Sequence, residues 1–175
     1  MLQLSGQILN KPVLSLRTGG PVAWIVAPII NPSKLSIEGF YVQDSVDKKE
    51  LVLVCQDIRE VSRQGLIVND HDVLAQPDDL VRLKQLLEMN FELIDKRIET
   101  TSKQHVGKVS DYAVETSSMQ VQKVYASRSF WKNLTGGALS IDRSQIVEIT
   151  NRRIIINELL QGKRALAPAS APVTT

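Results

Sequence analysis

The chain repeats itself, and that constrains its fold more than any other feature. The segment from Ile58 to Asp70 recurs 88 residues further on, from Ile146 to Glu158. Ile58/Ile146, Glu60/Glu148, Ile67/Ile155 and Asn69/Asn157 are identical, and Val61/Ile149, Ser62/Thr150, Leu66/Ile154, Val68/Ile156 and Asp70/Glu158 keep size or charge. Upstream the offset is 84, pairing Val22 with Val106, Ile25 with Val109, Leu35 with Met119, Ile37 with Val121 and Tyr41 with Tyr125. The second copy therefore carries four extra residues, near Phe130 to Gly137. Two matches in the same order point to duplication of one small unit. A unit of about 70 residues buries only roughly 60% of its extended-chain surface, so each copy gains by packing against the other.

Each copy reads as strands. Leu35 and Ile37 alternate with Ser36 and Glu38, as Met119 and Val121 do with Gln120 and Gln122; period two marks a half-buried strand. Leu51-Val52-Leu53-Val54-Cys55 and Ile154-Ile155-Ile156 are short, continuous and apolar, as strands covered on both faces are. Thr18-Gly19-Gly20-Pro21, Asn31-Pro32-Ser33 and Thr135-Gly136-Gly137 supply turns. Short strands at this spacing predict a small barrel, which removes exposed sheet edges. Between the copies, Pro77 stands where a first helical residue belongs, and Asp78 and Asp79 suit a helix N-terminus. Leu80, Leu83, Leu86 and Leu87 then form an apolar stripe, which predicts one amphipathic helix over Pro77–Met89 sealing the seam between the barrels. The expected organisation is a first barrel over 1–72, a linker with a helix over 73–90, a second barrel over 91–160 and a disordered tail over 161–175.

Composition narrows the function classes. A net charge of +2 gives no strong pull toward nucleic acid or an anionic membrane. A single cysteine, Cys55, rules out a disulfide framework within the chain and fits a reducing compartment. Neither a signal-peptide pattern nor a spanning apolar run is visible, so the expectation is a soluble cytoplasmic protein.

The opening Gly6-Gln7-Ile8-Leu9-Asn10-Lys11-Pro12-Val13, its Gly19-Gly20 turn and Ala27-Pro28-Ile29-Ile30-Asn31-Pro32-Ser33 resemble the start of a PRC-barrel domain. Leu93-Ile94-Asp95-Lys96-Arg97-Ile98 and Val106-Gly107-Lys108-Val109 resemble the same two strands in the second copy. The likeness covers residues 1–70 and 91–160; the first copy departs from the usual Val-Gly-x-Val strand, with Val22-Ala23-Trp24 in its place. The family resemblance implies a mainly β fold of two tandem PRC-type barrels joined by a short helix. PRC-barrels form the cytoplasmic domain of the photosynthetic reaction-centre H subunit and part of a ribosome maturation factor. By analogy it implies docking onto a larger assembly, although a fold fixes no function by itself.

No catalytic constellation emerges from the residues. His71 lies between Asp70 and Asp72, and His105 lies beside Gly107; both read as solvated loop histidines. One cysteine and two histidines make no zinc signature, and Asp70 with Asp72 starts no calcium loop. Cys55 reads as a buried filler, and Thr18-Gly19-Gly20-Pro21 lacks the amides and helix of a phosphate cradle. The expectation is a binding or adaptor module, with no enzyme activity, cofactor or metal. Its partner is a protein or a membrane-associated assembly, with an RNA or ribosome maturation role as the alternative and self-association left open. The candidate partner-binding residues are Phe130, Trp131, Lys132 and Leu134 in the lengthened connection. Arg152 and Arg153 join them on the basic side of the second copy, where residues 91–160 hold ten basic and eight acidic side chains. Lys123, Arg128 and Arg143 are further cations placed on that side.

Overall fold

The computed structural model describes residues 1–127 and 138–158, and the architecture is mainly β, a curled, barrel-like sheet. The strands are β1 (Leu2–Leu4), β2 (Pro12–Ser15), β3 (Pro21–Asn31), β4 (Ser36–Asp44), β5 (Glu50–Val54), β6 (Ile58–Val61) and β7 (Leu66–Val68). The second half follows with β8 (Arg97–Thr100), β9 (His105–Glu115), β10 (Gln120–Ser127), β11 (Leu139–Asp142), β12 (Ile146–Ile149) and β13 (Arg153–Ile156). Two short helices, α1 (Ser5–Ile8) and α2 (Lys84–Met89), complete the frame. No helix among the described residues is long and apolar enough to cross a membrane.

The duplication is visible in the pairing. The first half runs β6-β7-β2-β3-β4-β5 across the sheet, and the second runs β12-β13-β8-β9-β10-β11. In each half the first strand lies parallel to the last, β2 to β7 and β8 to β13. Even the bulges recur. The β3–β4 ladder slips between Ile25 and Ala27 and between Ile29 and Ile30, and the β9–β10 ladder slips at the corresponding places. The offset, 85 at β2 and β8 and 84 at β3 and β9, rises to 88 between Ala126 and Leu139, where the extra residues were expected. Ile58 and Ile146 open equivalent strands, and Ile67 and Ile155 sit opposite equivalent glutamates; all four are half-buried.

The halves do not stand as two separate sheets. They join where Ser36 of β4 pairs with Gln120 of β10. Ile37 N–H donates to the Met119 carbonyl at 2.8 Å, and Val121 N–H donates to the Leu35 carbonyl at 3.0 Å. Ser36 thus meets its own counterpart from the other copy, and the two flanking bonds are each other's counterparts, which places a local two-fold axis through this bridge. The turn before each strand is matched too, since Leu35 and Met119 both adopt positive φ, 49° and 55°. One apolar core runs through both halves, including Ile25, Phe40, Val42, Leu53 and Leu66 from the first and Val109, Val121, Val124, Ile141 and Ile154 from the second.

The linker differs from the expected single helix. Pro77–Asp79 form one 3-10 turn, Leu80 leaves the helical region at φ −94° and ψ 71°, and α2 begins only at Lys84. Its leucines do not seal the seam. Leu80, Leu83, Leu86 and Leu87 pack with Ile29, Tyr41, Val52 and Val54, all on the outer face of the first half. A helical period shows that a face is covered without showing by what. The segment preceding the other copy also crosses over: β1 pairs with Ala113–Glu115 of β9, and Ser5 Oγ donates to Asp111 Oδ1 at 2.6 Å.

Candidate functional site

The strand frame presents three places where chemistry collects. The first is the seam, where a cleft of about 440 Å³ is lined by Lys34, Glu38, Cys55, Gln56, Gln120 and Arg143, among others. Cys55 and Arg143 occupy the same position in their halves, immediately after β5 and β11. Arg143 Nη1 donates to the Leu35 carbonyl at 2.9 Å and to the Val121 carbonyl at 3.2 Å, while Nη2 reaches the Lys34 carbonyl. Its guanidinium therefore ties the two halves together and is not part of an open basic surface. Side-chain to carbonyl bonds between distant turns leave no sequence pattern. Cys55 Sγ–H donates to the Ile37 carbonyl at 3.2 Å. Burial pushes that thiol up to about 12, so at neutral pH it stays protonated and unreactive, as a filler should.

The second place lies at the end of β2. Ser15 Oγ donates to Asp70 Oδ1 at 3.0 Å, and Arg17 forms an ion pair with the other oxygen of the same carboxylate. The His71 backbone N–H and these partners hold Asp70 below the usual carboxylate range. His71 Nε2 meets Asp44 Oδ2, and this bond together with the Val46 and Asp47 amides lowers Asp44 as well. His71 is thus a tie between the end of β4 and the segment after β7, not a free loop side chain. The serine goes to Asp70 and the histidine to Asp44, so no Ser–His–Asp relay forms here. Asp72 is exposed, and His105 opens β9 on the surface. Among the described residues no three His, Cys, Asp or Glu side chains gather closely enough to hold a metal ion.

The third place is the pair of equivalent outer rows. In the first half Pro12 lies opposite Trp24 and Trp24 opposite Gln43. In the second, Arg153 lies opposite Arg97, Arg97 opposite Lys108 and Lys108 opposite Ser127. Residues directly opposite share a face of the sheet. Trp24 is 44% exposed and Val26, two residues on, is 49% exposed. Arg97, Lys108, Arg152 and Arg153 are exposed. Of the predicted partner-binding residues, Arg153 therefore stands in the basic row and Arg152 beside it; Phe130, Trp131, Lys132 and Leu134, like Arg128, lie outside the described residues. Lys123 is paired with Asp142 at 3.4 Å. Sequence reasoning proposed neither Trp24 nor Lys108 as a binding residue, although their alignment at one repeat position was the available signal. The chain matches no known family model and no curated protein.

Proposed function

We propose that this protein is a non-catalytic docking module, a tandem pair of PRC-barrel-like units whose outer faces engage a larger protein or membrane-associated assembly. The recurring strand order, bulges and turns support reading the chain as one barrel-like unit used twice. The observation that carries the function is the exposed Trp24 opposite Pro12 on β3, with Val26 exposed at the bulge that follows it. An indole left in water there does nothing for the core. Trp is the residue most enriched at the centre of protein interfaces, and strand residues present it with little motion to freeze.

The direct test is capture from a native extract by the full-length protein, with and without nuclease, comparing it with Trp24→Ala. The expected result is a nuclease-resistant protein partner, whose binding falls by about 2 kcal/mol, roughly thirty-fold, in the variant at unchanged melting temperature. Recovery abolished by nuclease would favour the second reading, an RNA or ribosome maturation accessory, for which the exposed row of arginine and lysine is the supporting observation.

A further inference from the structure

We infer that the second half carries a docking face for an acidic polypeptide segment, built on the cross-strand row Arg153, Arg97 and Lys108 with Arg152 at its rim. This rests on the docking-module reading and supplies the chemistry of one partner.

Cations directly opposite one another on adjacent strands repel and destabilise the sheet. The first half shows that the frame needs no charge at these positions, because it holds Gly65, Pro12 and Trp24 there. The row therefore costs local stability, offset within the described residues only by the pairing of Arg153 with Glu99.

Three other cations of this half, Lys96, Lys123 and Arg143, are committed inside the chain. Lys96 Nζ donates to the Asn151 carbonyl at 2.7 Å and lies 4.2 Å from the centre of the Phe91 ring. Lys123 pairs with Asp142, and Arg143 holds the seam. In the row only Arg153 has an acidic partner, Glu99 at 3.0 Å. Arg97, Lys108 and Arg152 make no salt bridge with any described residue.

Strands stand about 4.8 Å apart, so three cations span roughly 10 Å of surface. An extended segment places same-side carboxylates roughly 6.6 Å apart, and two of them fit along that span. The planar guanidinium groups of Arg97 and Arg152 can each take a carboxylate through paired N–H donors. A polynucleotide fits less well. Its affinity comes from neutralising many phosphates, roughly six to ten in strong complexes, whereas this chain has a net charge of +2. The row also offers no Phe, Tyr or Trp on which a base would stack.

The test is fluorescence anisotropy with a labelled peptide of alternating Glu and Ser and, separately, a labelled single-stranded RNA of equal length, each titrated with the full-length protein. The expected result is tighter binding of the peptide than of the RNA. Lys108→Glu weakens peptide binding at least about tenfold. The same variant raises the melting temperature by about 1–3 °C, because glutamate then faces Arg97. Arg97→Gln with Lys108→Gln weakens binding without reversing charge, which separates the role of the row from any misfolding of one variant. Peptide binding indifferent to both variants, or RNA bound more tightly with the same dependence on the row, would overturn the inference. Persistence of Trp24-dependent capture alongside such a failure would leave the docking-module reading standing and remove only its acidic partner.

Discussion

In the first half the outer row reads Pro12, Trp24, Gln43, and the neighbouring face of Ile29, Tyr41, Val52 and Val54 lies under the linker leucines. In the second half the same row reads Arg97, Lys108, Ser127, and the matching face carries Ala113, Tyr125, Ser140 and Asp142. Inward positions show no such divergence. Ile25 and Val109, Val42 and Ala126, Phe40 and Val124, Leu53 and Ile141, and Leu66 and Ile154 are buried in both copies. The core tolerates exchange only among apolar side chains of fitting volume, whereas an outward strand position accepts tryptophan or lysine without disturbing the core. One frame used twice can therefore present two different surfaces.

The largest expected break in this likeness lies under the linker. Leu83 is 9% exposed against Ile29 and Val52, and Leu83→Ala should cost on the order of 2–5 kcal/mol, as truncation of a buried leucine does. Amide exchange should show β3, β4 and β5 losing more protection than β9, β10 and β11. Equal losses in both halves would mean that the leucines serve the whole sheet.

The seam gives a smaller effect and a sharper contrast. Arg143→Ala removes the guanidinium that joins part-buried carbonyls of both halves, leaving Leu35 only its bond from the Val121 amide, and denaturant titration should show a loss of about 1–3 kcal/mol. Its counterpart Cys55 supplies one weak thiol bond, so Cys55→Ala should lose less. A smaller loss for Arg143→Ala than for Cys55→Ala would mean that the guanidinium does not join the halves.

Acid gives the subtlest comparison. Asp70 accepts from Ser15 at the end of β2, and Glu158, its repeat counterpart, accepts from Thr101 and Ser102 after β8. The His71 amide leads the partners that lower Asp70, and Ser102 those that lower Glu158. A carboxylate lowered by folding contributes stability above its unfolded value, roughly pH 4, and loses it as pH falls through the folded value. Unfolding midpoints should therefore drop in that window, and Asp70→Asn and Glu158→Gln should each flatten the drop. The Asp70 variant should flatten it more, because Asp70 is buried and Glu158 is exposed.

The repeat made much of this legible. Offsets of 84 and 88 residues in the sequence reappear as pairing registers, and the turn at Gly19, with φ 71°, lies where glycine was needed. What stayed hidden depends on contacts without a local period. Leu35 and Met119 look like ordinary strand residues, although each turns at positive φ to bring the copies together. Arg143 looks like a solvated cation until its carbonyl partners are placed around it. The leucine stripe announced a covered face, but only three-dimensional proximity assigns that face to the first half. Trp24 drew notice as a departure from a strand pattern, and its exposure follows from the strand's orientation in the sheet.

The joining of the two copies at their own two-fold axis is the claim on which the rest depends. Ser36 and Gln120 form the non-hydrogen-bonded type of antiparallel pair, whose Cα atoms lie about 4.5 Å apart, within disulfide reach. Ser36→Cys with Gln120→Cys, made in a Cys55→Ala background, should oxidise to one bond within each molecule. The unfolding midpoint should then rise while the circular dichroism spectrum stays as it was. Thiols that remain reduced, or that link only between molecules, would show that the two copies do not meet at this bridge.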